Sequence, residues 1–202
     1  MTVQLDAPAE RASSPGGPRQ RHLPGEEGLW VFIMGDLLMF GVFFGVLVVS
    51  RAKDVAVFAE AQAHLHVELG LLNTVLLLTG SWFVARGMQA LKARSPRRTR
   101  WFVAALATAV AFASVKVLEY SLLISDGQTP ADNDFFMYYF VFTGIHLAHL
   151  VIGAVFLTVL VTIARRPQLT VGRFRLAECG AVYWHMVDML WLVLFPLLYV
   201  VR

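Results

Sequence analysis

Glu178-Cys-Gly-Ala-Val-Tyr-Trp-His185-Met-Val-Asp188-Met-Leu-Trp191 runs on through Pro196 and Tyr199 as one apolar stretch holding two carboxylates and an imidazole. Its length suits a helix that crosses ~30 Å of hydrocarbon at about 1.5 Å per residue. A charge at the centre of such a span costs about 2.5–3.5 kcal/mol on insertion scales, so each of these groups needs a partner inside the protein. The rest of the chain reads as the supply of those partners.

Of the 202 residues, 57% are hydrophobic, against about 45–50% in soluble domains. Apolar runs recur at residues 29–50, 69–91, 101–124, 135–164 and 178–201, each long enough to span a bilayer. The fold class expected is all-α: a polytopic membrane bundle of five transmembrane helices over residues 25–202. Residues 1–24, with Pro8, Pro15, Gly16, Gly17 and Pro18 and no apolar core, read as a flexible cytoplasmic tail and not as a signal peptide. The segment 51–67 carries both charge signs and suits a short interfacial helix.

Basic residues cluster between the second and third spans (Lys92, Arg94, Arg97, Arg98, Arg100) and between the fourth and fifth (Arg165, Arg166, Arg173, Arg175). The third loop is acidic, with Asp126, Asp132 and Asp134. By the positive-inside rule the N-terminus lies inside and the C-terminus outside. The net charge of +3 comes from these short loops, which excludes a nucleic-acid surface. Cys179 is the only cysteine, so an intrachain disulfide and a cysteine-ligated cluster are excluded.

The intramembrane polar set is Asp36, Lys116, Glu119, His146, His149, Glu178, His185 and Asp188. Asp36 and His185 each lie roughly 10 Å in from the inner end of their spans. Matching depth predicts an Asp36–His185 pair. Glu178 and His185, two turns apart, share one helix face, with Asp188 on a neighbouring line. Such a row suits proton conduction or metal binding; the plainer reading is interhelical hydrogen bonding that fixes packing. Lys116 and Glu119, one turn apart, suit a structural salt bridge. His146 and His149 could ligate a metal or a haem; the favoured reading pairs Thr143, His146 and His149 with carboxylates of the third and fifth spans. Trp184 and Trp191 form a ridge for docking on another helix, and Asn73 and Thr74 suit a bond to a neighbouring helix or a lipid head group. Gly41, Gly45, Gly144 and Gly153 would allow close helix approach. No nucleophile–base pair, phosphate loop or closed metal site is legible, so catalytic and metal-ligand residues are expected to be absent.

Leu72-Asn73-Thr74, Glu119-Tyr120, Phe142-Thr143-Gly144-Ile145-His146-Leu147-Ala148-His149 and the Glu178–Trp191 stretch together resemble subunit III of the haem-copper cytochrome c oxidases, one set per span and in family order. The chain looks like the five-helix form that lacks the first two helices of the long form. Gly25-Glu-Glu-Gly-Leu-Trp30 and Asn133-Asp-Phe-Phe-Met-Tyr-Tyr139 look most like the branch associated with nitric oxide reductase. The resemblance implies a bacterial inner-membrane subunit without a redox centre of its own, haem and copper residing in catalytic subunit I and in subunit II or a cytochrome c-type subunit. It implies packing on subunit I, bound phospholipid, and support of stability and proton uptake. The family's intramembrane glutamate aligns with Asp36, one methylene shorter. From the residues alone, a haem-binding redox protein using His146 or His149 with His185 stays open.

Overall fold

The computed structural model describes residues 27–201, and every regular element among them is helical. The tail expected over residues 1–24 lies outside the described residues. The order is α1 (Glu27–Lys53), α2 (Val55–Ala63), α3 (Val67–Lys92), α4 (Arg98–Ser125), α5 (Asp134–Arg165) and α6 (Val171–Phe195), which runs into a π-helical turn at Pro196–Val200. Among the described residues, five of these helices are long and apolar enough to cross a membrane, and α2 is the short helix expected between the first two. A helix satisfies its own backbone polar groups, the condition for any segment inside hydrocarbon.

Local chemistry sets the ends. The Asn133 side chain accepts from Phe136 N–H at 2.9 Å and Thr170 from Arg173 N–H at 3.4 Å, each an N-cap. α4 stops at Gly127, whose φ of +81° lets Gln128 N–H reach back to the Leu123 carbonyl. Because Thr170 caps α6, this helix begins well before residue 178 and takes Arg173 and Arg175 into its first turns. The sequence-based assignment of those arginines to a loop is thereby corrected.

α3, α4, α5 and α6 close into a four-helix ring by neighbour contacts, and α1 lies against α5 and α6. On α5, Tyr139, Thr143, His146, Leu150, Gly153, Leu157 and Leu160 recur every three or four residues and are all buried, so this stripe lines the core. α1 adds few buried residues: Ile33, Phe40 and Leu47 point inward, and Phe43 stacks on Phe142 at 5.3 Å.

Close approach is set by glycines the sequence does not single out, with one exception. A Cβ on Gly153 would sit 3.0 Å from the Trp184 ring, one on Gly87 2.7 Å from Phe102, and one on Gly70 2.9 Å from Tyr199. Gly153 is therefore a packing glycine, as expected. Gly41, Gly45 and Gly144 are not: a Cβ on any of them meets nothing within 4 Å. A small-xxx-small spacing marks a groove, but only the bundle decides whether another helix lies in it.

Candidate functional site

The polar residues do not form one seam. They resolve into separate clusters at different places in the bundle, each with its own partners.

The most enclosed is built on α4. Lys116 and Glu119 are both 0% exposed and meet at 2.9 Å, the salt bridge their spacing predicts. Lys116 also donates to Tyr199 at 2.8 Å and to Tyr139 at 3.1 Å, and Tyr199 donates to the second Glu119 oxygen at 2.6 Å. The ammonium lies 4.8 Å from the Tyr139 ring and 5.0 Å from the Trp191 ring. A buried ion pair is stable only when its remaining donors and lone pairs are met, and here they are. Tyr199 comes within reach because the π-helical turn at Pro196 carries it inward. Gln62 of α2 donates to the carbonyls of Leu198 (3.1 Å) and Val201 (3.0 Å), and Arg51 donates to the Val201 carbonyl as well. The wide turn leaves those acceptors unpaired, and α1 and α2 supply the donors.

Asp36 does not pair with His185. It lies 3.5 Å from Nε2 of His149 on α5, whose Nδ1 is 2.9 Å from the Ile145 carbonyl. Both side chains are 13% exposed. The depth argument fails because equal depth says nothing about azimuth: α1 presents Asp36 to α5. His185 instead sits 2.6 Å through Nδ1 from the Ser81 hydroxyl of α3, and the same hydroxyl faces the Asp188 carboxylate.

The expected pairing of His146, His149 and Thr143 with carboxylates of the third and fifth spans is also overturned. Thr143 bonds Tyr120 at 2.6 Å. His149 takes Asp36 from the first span. His146 is 0% exposed with no hydrogen-bond partner among the described residues, its ring 5.8 Å from Phe112 and 5.2 Å from Trp191. Trp184 and Trp191 do dock between helices, as their ridge predicts: Trp184 fills the notch at Gly153 and Gly80, and Trp191 donates to Thr74 at 3.0 Å. Asn73 beside it is buried, with neither amide atom bonded among the described residues.

Glu178 belongs to neither a row nor a core cluster; it pairs with Lys92 at 3.7 Å near the basic end of α3 and α6. Beside that pair, Arg94, Arg98, Pro167, Gln168 and Leu169 line a cavity of about 360 Å³. An adjoining one of about 320 Å³ is lined by Leu91, Lys92, Val171 and Phe174, sharing Arg94 and Leu169. Among the described residues, no three His, Cys, Asp or Glu side chains converge as metal ligands.

Sequence reasoning missed Tyr139, Tyr199, Ser81, Lys92 and Gln62. Tyr139 was findable, since it shares the α5 face of Thr143 and His146 at i+4 and i+7. Ser81 and Gln62 carry no local signal, because their partners lie far away in sequence.

These features define a polytopic helical membrane protein with ionisable groups of several helices meeting inside it. The family model described as cytochrome c oxidase subunit III matches residues 25–201. The chain belongs to the cytochrome c oxidase subunit III family. It is 27% identical over 178 residues to cytochrome c oxidase subunit 3 of Corynebacterium diphtheriae, covering 87% of each chain. It is 29% identical over 175 residues to that of Thermostichus vulcanus, covering 86% of this chain and 85% of the relative. It is also 30% identical over 181 residues to the haem-copper oxidase subunit I+III of Aeropyrum pernix, covering 86% of this chain and 22% of that longer one. The chain is thus a subunit III of haem-copper oxidase type.

Proposed function

We propose that the chain is a non-catalytic subunit of a bacterial inner-membrane haem-copper oxidase, packing on the catalytic subunit and steadying it. The N-terminus lies inside and the C-terminus outside, the basic end of the bundle facing the cytoplasm. Haem and copper belong to the partner subunits. The observation that carries this reading is the closed Lys116–Glu119–Tyr139–Tyr199 cluster: the strongest charges in the bundle are spent on each other and on helix packing. Phe112 and Trp191 pack around His146 with ring centroids 5.8 and 5.2 Å away, which supports a chain without haem of its own.

Phospholipid binding is part of the proposal. The paired cavities around Arg94, Arg98, Lys92 and Phe174 offer guanidinium donors beside an apolar slot, the chemistry of an anionic headgroup and the start of its acyl chain. Proton uptake is the third part. Asp36, though shorter than the family's glutamate, still reaches the His149 imidazole and so keeps a carboxylate–imidazole contact where the family places its acid.

Affinity purification of the tagged chain from intact membranes tests the reading. Recovery of a subunit I with a copper-containing subunit II is the expected result, and a visible spectrum that disappears when subunit I is stripped away confirms the location of the haems. Recovery of a cytochrome c-type reductase subunit instead supports the second reading, association with nitric oxide reductase, which rests on the Gly25–Trp30 and Asn133–Tyr139 sequences. A stoichiometric Soret band on the isolated chain refutes the non-redox reading.

A further inference from the structure

Ser81 and His185 lie near the middle of α3 and α6, at the depth where a bilayer offers neither donors nor acceptors. His185 Nδ1 is 2.6 Å from Ser81 Oγ, and Ser81 also faces Asp188. The cluster is incomplete. Asp188 Oδ1 is buried without a hydrogen-bond partner, and no described residue bonds His185 Nε2. The imidazole stays partly exposed on α6, one turn before Met189 (66% exposed), and Leu78 (45% exposed) lies one turn before Ser81 on α3.

The contrast with the other intramembrane charges makes this position informative. Lys116 and Glu119 are sealed in the core and fully bonded, and Asp36 meets His149 within the chain. The Ser81–His185–Asp188 group instead keeps a partly exposed imidazole at mid-depth whose Nε2 no described residue bonds. A lipid tail leaves it unsatisfied, and a peripheral protein cannot reach it. Another membrane-spanning chain can.

We infer that the α3–α6 face around His185 is the surface that docks on the haem-copper catalytic subunit, with His185 Nε2 meeting a polar side chain of a facing helix. This rests on the functional reading above. The chemistry of the contact follows from proton counting. Ser81 has one proton: donated to the acceptor-only carboxylate of Asp188 it draws Nδ1–H from the imidazole and leaves Nε2 an acceptor, and donated to Nδ1 it leaves Nε2–H a donor. The facing group is therefore a polar side chain that complements Nε2.

The test places the photoreactive residue p-benzoylphenylalanine at Leu78 or Met189, and as controls at Val110 of α4 or Val155 of α5, in the tagged full chain co-expressed with its partners. Cross-links to the catalytic subunit from Leu78 and Met189, and none from Val110 or Val155, are expected. With the complex intact, cross-links from the control positions alone, to a second copy of this chain, or to lipid alone overturn the inference. If no catalytic subunit co-purifies at all, the functional reading fails instead. A second arm measures co-purified catalytic subunit per tagged chain. His185→Leu lowers it roughly tenfold, as loss of one buried polar contact does, and His185→Gln, whose amide takes the place of Nε2, retains most of it. Unchanged recovery with His185→Leu also overturns the inference, and should that variant not accumulate, the cross-linking positions decide.

Discussion

Asp36 of α1 and His149 of α5 stand 3.5 Å apart, and this contact joins the least embedded of the spanning helices to the flank of α5 beside its buried stripe. α1 also holds on through the Ser50 hydroxyl 2.9 Å from that of Tyr138, through Arg51 on the Val201 carbonyl, and through ring contacts such as Phe40 edge-on to His149 at 5.6 Å and Phe43 on Phe142. A polar contact between two side chains, each mostly shielded, does more to fix the rotation of a helix about its axis than sliding aromatic faces do, because it has one geometry.

Removing one member of this pair should therefore cost more than removing both. His149→Leu leaves the Asp36 carboxylate without its imidazole and is expected to destabilise the bundle by about 1–3 kcal/mol. Adding Asp36→Leu should recover most of that loss. Thermal unfolding of the purified complex, followed by intrinsic fluorescence for the two single variants and the double, gives the coupling directly. Additive losses would falsify the pairing.

The ion pair in the core predicts a steeper pattern. Lys116→Met strands Glu119 in a site with no water access, and a loss of about 3–5 kcal/mol is expected for breaking a buried pair. Lys116→Met combined with Glu119→Leu should lie much closer to the parent, since both charges are then gone. The measurement is the yield of folded chain in the membrane together with its midpoint of thermal unfolding. A double variant as poor as the single one would show that Tyr139 and Tyr199 need the charges to keep their positions.

Glycines separate by what lies over them. Gly153→Ala and Gly87→Ala push a methyl into Trp184 and Phe102 at 3.0 and 2.7 Å, and overpacking of this kind typically costs about 1–3 kcal/mol. Gly45→Ala and Gly144→Ala meet open space and should be neutral or slightly stabilising through better helix propensity. Midpoints of unfolding that rank the four in any other order would contradict the packing.

Gln62→Leu tests whether α2 holds the end of the chain. It removes the donor to the Leu198 carbonyl and one of the two donors to the Val201 carbonyl, which keeps Arg51, and a buried acceptor left unmet costs about 1–3 kcal/mol. Tyr199 should loosen from Lys116 and Glu119 as a result. Faster backbone hydrogen exchange at residues 196–201, with exchange at the centre of α4 unchanged, is the expected signature.

Five spans, a short helix after the first, and the Lys116–Glu119 bridge were legible from composition and spacing, because each follows from local rules: enough apolar length to cross hydrocarbon, and side chains one turn apart. The tryptophan ridge was legible for the same reason. The partners of Asp36, His185 and His146 were not. Helical periodicity assigns a residue a depth and a face on its own helix, and nothing in one sequence states how that helix is turned against its neighbours.

Apolar length and one-turn spacing are thus enough to specify a five-span helical bundle with ionisable groups inside it, and the motifs carry its likeness to subunit III. That Asp36 meets His149, that Ser81 takes His185 and that a π-helical turn brings Tyr199 to Lys116 emerges from the packing of the helices. Azimuth makes the difference: which helix face turns to which neighbour depends on how bulky rings such as Trp184 and Phe102 fit over the glycines of adjoining helices.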